Sequence, residues 1–213
     1  MSALQITIFA KSDGPLTKQI YLDKDGSLKS DGSACVMTAG TARRLEFTSM
    51  WEISVLKSNE ALATGSLRGD LPDQVGVVTQ NRLSGATPPG IIARTQDYIV
   101  YRPGEPAPAL LDFDIKAMPP VVAARLAERS GFWSTLVSIL PELVAVARVE
   151  RASTSAGLFH ANTGEEFPGS GGVHVYLLVK DGTDIERFLK TLHARCWLAG
   201  LGWMMVGVGG QCG

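Results

Sequence analysis

Residues 169–179, GSGGVHVYLLV, contain the clearest β-strand pattern in this chain. A glycine-rich stretch leads directly into a strand at Val173, and every second residue of that strand is valine or leucine. Because side chains alternate along a strand, His174 and Tyr176 share the face opposite to this apolar set. The stretch therefore predicts a strand with one buried face, which presents a histidine just after a loop of small residues.

Residues 110–114, LLDFD, show the same alternation with acidic residues on one face. Asp112 and Asp114 share one side of the predicted strand, and the other side is apolar. Exposure of the two side chains to solvent does not by itself explain why two carboxylates occur within an apolar run. Carboxylate oxygens on a rigid strand suit Mg²⁺ or Mn²⁺, which prefer hard ligands. The pattern indicates a metal site, with a solvated or salt-bridged pair as the alternative.

The predicted elements between residues 109 and 208 follow the order βαββαβ. This order predicts an α+β fold of the ferredoxin-like or RRM-like kind, with the first and third strands adjacent and both helices on one face. The aspartates and His174 would then meet on the open face. In the second strand, Val149 is expected to face the helices, and Arg148 and Glu150 the open side. The predicted strands are 109–115, 144–150, 173–179 and 203–208, and the predicted helical segments are 119–140, interrupted at Gly131, and the segment starting at the Thr183 capping box.

A small N-terminal α/β unit, residues 1–95, is expected to precede this core, residues 96–213. It would contain strands at 5–9, 19–22 and 75–79, a turn at 25–26 and a helix at 51–67. A strand at 98–101 is expected to pair with the strand at 109–115.

Composition places the chain among ordinary globular proteins, with 45% hydrophobic and 19% charged residues and a net charge of −1. Nucleic-acid binding would therefore have to depend on local basic patches.

No run reaches the ~18–20 apolar residues that span a bilayer, and the N-terminus does not resemble a signal peptide. We expect a cytoplasmic protein with no membrane partner. The three cysteines are not at zinc-binding spacing and are expected to be free thiols.

The connection between residues 152 and 172 is longer than a compact domain usually contains without a functional reason. Hydroxyls at Ser153 and Ser155 lie at one end of it, and glycines, including Gly172, lie at the other. Hydroxyls and unhindered backbone N–H groups can cradle phosphate oxygens. His174, facing the aspartates, is predicted to be a further phosphate ligand. The alternatives are a hairpin that turns at residues 162–165 and a structural histidine.

On these residues the chain resembles the archaeo-eukaryotic primase superfamily, the primase-polymerases of replication proteins, plasmids and phages. The first motif of that family, two acidic residues on an apolar strand, matches residues 110–114. The second, a small-x-His motif that opens a strand, matches residues 172–174. The resemblance implies a DNA primase or polymerase in which Asp112 and Asp114 hold catalytic Mg²⁺ or Mn²⁺ and His174 contacts the phosphates of the nucleotide.

Residues 151–157 look like the nucleotide-side loop of bacterial and mobile-element members. The resemblance thus implies that Arg151, Ser153, Ser155 and Gly172 also contact the nucleotide. The partners it implies are nucleoside triphosphates, a single-stranded DNA template and a replicative helicase.

The family's third motif, an aspartate on a later strand, has no match in this sequence. The acidic residues after His174, which are Asp181, Asp184 and Glu186, fall in a turn and a first helical turn. The chain is therefore expected to be truncated relative to the family and to polymerise little. Glu150, if it shares the open face, is the residue expected to substitute.

Two rival functions use a similar sheet. A rolling-circle-type nicking endonuclease would need paired histidines and a nucleophilic tyrosine, whereas this strand has only His174 and Tyr176. A degenerate core that binds nucleotide or DNA without turnover is the non-enzymatic rival, and the missing third carboxylate favours it.

Overall fold

The computed structural model describes residues 3–56, 60–83, 88–115, 118–167 and 171–204, which form a mixed α+β structure. Within these residues no helix has the length and apolar character needed to cross a membrane. The strands are β1 (Leu4–Lys11), β2 (Gln19–Leu22), β3 (Leu28–Asp31), β4 (Ala39–Phe47), β5 (Ala61–Ala63), β6 (Ser66–Leu67), β7 (Gln74–Val78), β8 (Ile91–Ala93), β9 (Ile99–Val100), β10 (Ala107–Phe113), β11 (Arg148–Ala152) and β12 (Val173–Val179). The helices are α1 (Trp51–Ser54), α2 (Pro120–Glu128), α3 (Phe132–Ile139) and α4 (Ile185–Leu198).

The sheet that contains the two sequence motifs is antiparallel, with strand order β10-β12-β11. The predicted adjacency of the acidic strand and the histidine strand is thus confirmed. Residues 203 and 204, where the last predicted strand would begin, are not in a strand, and residues 205–208 lie outside the described residues.

One face of this sheet packs against the helices, as the apolar alternation predicted. Val175 and Leu177 of β12 are buried in a cluster with Leu136 of α3 and Leu192 of α4. Leu111 of β10 packs against the same cluster. Because neighbouring residues on a strand point in opposite directions, this packing turns Asp112 and His174 away from the helices.

The other main sheet comes from the N-terminal region and has the order β5-β1-β4-β7-β8. Both faces of β1 are covered. Ile6 and Ile8 lie on one face in a cluster that also contains Val149 of β11 and Tyr176 of β12, while Phe9 belongs to a separate cluster with Val75 and Val77. The N-terminal sheet therefore packs against the part of the second sheet that contains Val149 and Tyr176.

This packing overturns the predicted orientation of β11. Val149 pairs with Tyr176 and is buried in the shared cluster, whereas Glu150 pairs with Val175 on the helix side. The guanidinium of Arg148 lies 4.2 Å from the ring centroid of Trp133, on that same side. The prediction assumed that only the helices cover the sheet, and so it gave the apolar residue to the helix face. The strand also begins later than predicted, after a 3-10 helix at Pro141–Ala145.

Three other local predictions were wrong. The helix expected at residues 51–67 is only the single turn α1, and β5 and β6 follow it. Strand β9 pairs with β6 instead of β10. A 3-10 turn at Gly182–Asp184 precedes α4, so the capping carboxylate belongs to Asp181, which accepts a hydrogen bond from the backbone N–H of Thr183.

Candidate functional site

Asp112, His174 and Arg151 form one row across the three strands of the second sheet. His174 of β12 is paired with Asp112 of β10 on one side and with Arg151 of β11 on the other. Directly paired residues of antiparallel strands point to the same face. Nε2 of His174 lies 3.4 Å from Oδ1 of Asp112. The prediction that both aspartates and His174 meet on the face away from the helices is therefore confirmed for Asp112, whereas Asp114 lies just beyond the end of β10 and lines the same cleft.

This row opens into a cleft of about 580 Å³ between the second sheet and the N-terminal region. The cleft is of the size that commonly holds a small ligand. All seven residues predicted from the sequence as site residues line it: Asp112, Asp114, Arg151, Ser153, Ser155, Gly172 and His174.

The two aspartates supply accessible carboxylate oxygens at the end of β10. The side chain of Asp112 is 67% exposed, and Asp114 is also exposed. Oxygen donors of this kind fit Mg²⁺ or Mn²⁺. In the described ranges, no group of three or more His, Cys, Asp and Glu residues is arranged to hold a metal ion. An ion held by this pair would therefore need water or phosphate oxygens to complete its coordination.

A small hydroxyl cluster lies where β11 ends and β12 begins. The backbone N–H of Ser153 donates to the carbonyl of Gly172 at 2.9 Å, which brings the two ends of the long connection together. The hydroxyls of Ser153 and Ser155 are 3.4 Å apart. Hydroxyls and backbone groups thus border the cleft beside the strand that contains His174.

The middle of that connection is a hairpin, as the alternative interpretation of the sequence proposed. Phe159 and Glu166 form a β-bridge, and the chain turns between them. Gly164 has a φ of 70°, in the left-handed region that glycine adopts without strain. Residues 169 and 170 of the glycine-rich stretch lie outside the described residues.

The side chain of Arg151 is hydrogen-bonded to the N-terminal region. Its Nη1 donates to the carbonyl of Ile53 and its Nη2 to the carbonyl of Leu56, both at 3.2 Å. These carbonyls belong to the end of α1 and the residues that follow it. The guanidinium thus connects β11 to the end of α1, a structural contact that the sequence did not reveal.

Tyr176 forms part of the floor of the cleft and is only 5% exposed. Burial is the main influence that raises the pKa of its phenol, with a smaller raising effect from the charge of Asp112 and an opposing effect from Arg151. A phenol that is buried to this extent is poorly accessible to a DNA phosphate, which argues against the nicking-endonuclease rival.

The opposite wall of the cleft was not predicted from the sequence. Lys18, Glu60 and Leu62 line it, together with four neighbouring residues: Leu16, Thr17, Cys35 and Ala61. Glu60 faces Arg43, with 3.3 Å between Oε2 and Nη2. These residues come from short strands and loops, which have no hydrophobic period that sequence reasoning could detect.

The assembled groups suit a phosphorylated ligand that carries a divalent ion. Carboxylates can hold the cation, while an imidazole, hydroxyls and an ammonium can contact phosphate oxygens.

Comparison with protein-family models, with curated proteins and with solved structures finds no match for the chain.

Proposed function

We propose that the chain is the core of a primase-polymerase type of nucleotidyltransferase. It would bind a nucleoside triphosphate with Mg²⁺ or Mn²⁺ in the cleft and transfer the nucleotide on a single-stranded DNA template. The observation that carries the proposal is the pairing of Asp112 with His174 on adjacent strands at the cleft. These residues belong to the two motifs of the primase superfamily that the sequence resembles.

The arrangement of the second sheet supports the ferredoxin-like or RRM-like core that this proposal requires. The strand order β10-β12-β11 puts the first strand beside the third, and the helix cluster covers one face. That order is expected for the first three strands of a βαββαβ unit.

The roles of the side chains follow from their positions. Asp112 and Asp114 would hold the divalent ion, which supplies charge neutralisation at the phosphates when bound. Asp112 also orients the imidazole of His174, so that a ring N–H can be directed at a phosphate oxygen. Ser153 and Ser155 would donate hydroxyl hydrogen bonds to the same group. In-line transfer to a 3′-hydroxyl depends mainly on such positioning and charge stabilisation.

A second candidate is a core that binds nucleotide or DNA without turnover. In the part of the chain that the structure describes, no cluster of three metal-binding side chains is present. A second metal ion normally needs further ligands to offset repulsion between cations ~3.5–4 Å apart. Glu150 cannot supply one, because it lies on the helix side of β11. Glu60 borders the cleft but is paired with Arg43.

Primer synthesis by the full chain tests the proposal. Labelled nucleotides, Mn²⁺ and single-stranded DNA should give a slow, metal-dependent product that disappears in Asp112→Asn and Asp114→Asn. Glu150→Gln is the matched control, because it removes a nearby carboxylate that faces away from the cleft, and its product should be unchanged.

The other outcomes separate the two candidates. Mn²⁺-dependent binding of triphosphate with no product supports the binding module. If triphosphates do not bind to the unaltered chain, both candidates are wrong.

A further inference from the structure

The loop between β1 and β2 brings a lysine to the cleft from the N-terminal wall. Leu16 of this loop is 7% exposed and packs in the cluster with Phe9 and Val75. Two residues later, Lys18 is exposed and lines the cleft. The buried leucine anchors the loop, so the base of the lysine side chain has a defined position opposite the second sheet.

Lys18 differs from Arg151, the other basic side chain among the described lysines and arginines that line the cleft. The guanidinium of Arg151 donates to two backbone carbonyls. Within the described ranges, no carboxylate lies within ion-pair distance of the Lys18 ammonium, whereas Lys11 faces Asp13 and Lys190 faces Glu186. An ammonium on a flexible four-carbon stem, with no carboxylate partner among the described residues, suits a phosphate group as a point charge.

The charge distribution across the cleft also favours a contact between the Lys18 ammonium and a phosphate group. Asp112 and Asp114 bring two carboxylates to the wall of the second sheet beside the guanidinium of Arg151, and their charges repel a phosphate chain unless further cations lie nearby. A divalent ion on the aspartates would offset part of this repulsion. The ammonium of Lys18 supplies positive charge from the facing wall, where it can reach phosphate oxygens that point away from the second sheet.

We propose that Lys18 contacts the phosphates of the bound nucleotide and thereby makes the cleft selective for triphosphates over less phosphorylated ligands. This inference rests on the proposed function, because it assumes a nucleotide in the cleft. It also gives the N-terminal region a role in recognition, since Lys18 lies on the wall of the cleft that this region provides.

The test is a binding titration of the full chain with ribo- and deoxynucleoside triphosphates, the corresponding monophosphates and unphosphorylated nucleosides, all with Mn²⁺. Lys18→Gln should bind triphosphates roughly tenfold or more weakly, the effect of losing one charge-assisted contact. The loss for monophosphates should be smaller, and nucleosides should bind as before. Lys18→Arg, which keeps the charge, should retain most of the affinity.

Lys24→Gln is the matched control, because Lys24 is exposed in the nearby turn between β2 and β3 and does not line the cleft. Its affinity for triphosphates should equal that of the unaltered chain. Both variants should keep the unaltered melting temperature, since both lysines are exposed.

The outcomes distinguish this inference from the function on which it rests. Triphosphate binding that is metal-dependent but unchanged in Lys18→Gln overturns the role of Lys18 and leaves the proposed function standing. An equal loss for triphosphates and nucleosides would also overturn it, because phosphate number would then not matter. If the unaltered chain binds no triphosphate, both are wrong.

Discussion

His174 and Asp112 lie opposite each other on β12 and β10, with Nε2 of the imidazole 3.4 Å from Oδ1 of the carboxylate. The imidazole is 34% exposed and the carboxylate 67% exposed, so both groups reach the cleft. The pairing of the strands fixes both side chains on one face. The proposed metal and phosphate ligands Asp112 and His174 therefore lie on one face of the sheet.

The first prediction concerns the aspartate pair. Asp112→Asn and Asp114→Asn should each weaken Mn²⁺ binding by roughly tenfold or more, or about 1.4 kcal/mol, because each removes a charged oxygen ligand. Calorimetric titration measures this, first with Mn²⁺ alone and then with triphosphate present. Binding should be stronger with triphosphate, whose oxygens complete the coordination.

Glu150→Gln provides the control for this titration. Glu150 accepts a hydrogen bond from Nε of Arg148 at 2.8 Å, on the side of the sheet that faces the helices. Its replacement should leave Mn²⁺ affinity unchanged. Unchanged affinity in both aspartate variants would remove the metal site.

The second prediction concerns the histidine. His174→Ala should weaken triphosphate binding by about 1–3 kcal/mol, the cost of losing a hydrogen bond to a charged partner. His193→Ala serves as the control, because His193 lies on α4, where its Nε2 accepts from the indole N–H of Trp197 at 3.0 Å. Equal affinity of the native chain for triphosphate and for unphosphorylated nucleoside would rule out a phosphate role for His174.

Two strands of the second sheet, β10 and β12, could be predicted because one face is covered by helices close in sequence. The segment 173–179 was predicted with the bounds that β12 has, and residues 110–113 of the acidic motif lie in β10. A period of two is a strong signal when one face is apolar and the other is polar. This is why Asp112 and His174 could be assigned to one face from sequence.

The same signal failed where the covering element comes from a distant part of the chain. Val149 is buried against Ile6 and Ile8 of β1, and nothing in the local pattern of β11 reveals that partner. Lys18 was missed for a related reason, since a loop residue carries no periodic signal. A local pattern predicts which residues of a strand share a face, but tertiary packing determines which element covers that face.

The third prediction tests the contact between β11 and α1. Arg151→Ala should lower the free energy of unfolding by about 1–3 kcal/mol, because the carbonyls of Ile53 and Leu56 lose their donors in a partly buried setting. Arg151→Lys should restore little, since an ammonium cannot match the rigid fork of a guanidinium. Urea unfolding measures both variants.

Arg195→Ala is the control for this measurement, because Arg195 is exposed in the last turn of α4. Its replacement should change stability by no more than about 0.5 kcal/mol. If Arg151→Ala is as stable as the native chain but loses triphosphate binding, the guanidinium serves the nucleotide instead of the fold.

The last prediction concerns pH and Asp181, which precedes α4. Its carboxylate accepts hydrogen bonds from the hydroxyl of Thr183 at 2.6 Å, from the backbone N–H of Thr183 at 2.9 Å and from that of Gly104 at 3.1 Å. The hydroxyl of Thr183 is the main cause that lowers the pKa of Asp181, followed by the backbone bonds. The folded-state pKa thus lies below that of the unfolded chain, which is about 3.9. The charged carboxylate therefore stabilises the fold above about pH 4, and this contribution is lost as pH falls through the lowered folded-state pKa.

Thermal unfolding should show that the Asp181→Ala variant melts at a lower temperature than the native chain at pH 7, with a smaller difference near pH 3. Thr183→Val, which removes the hydroxyl donor, should show the same trend. A difference that stays constant or grows on acidification would contradict the assignment.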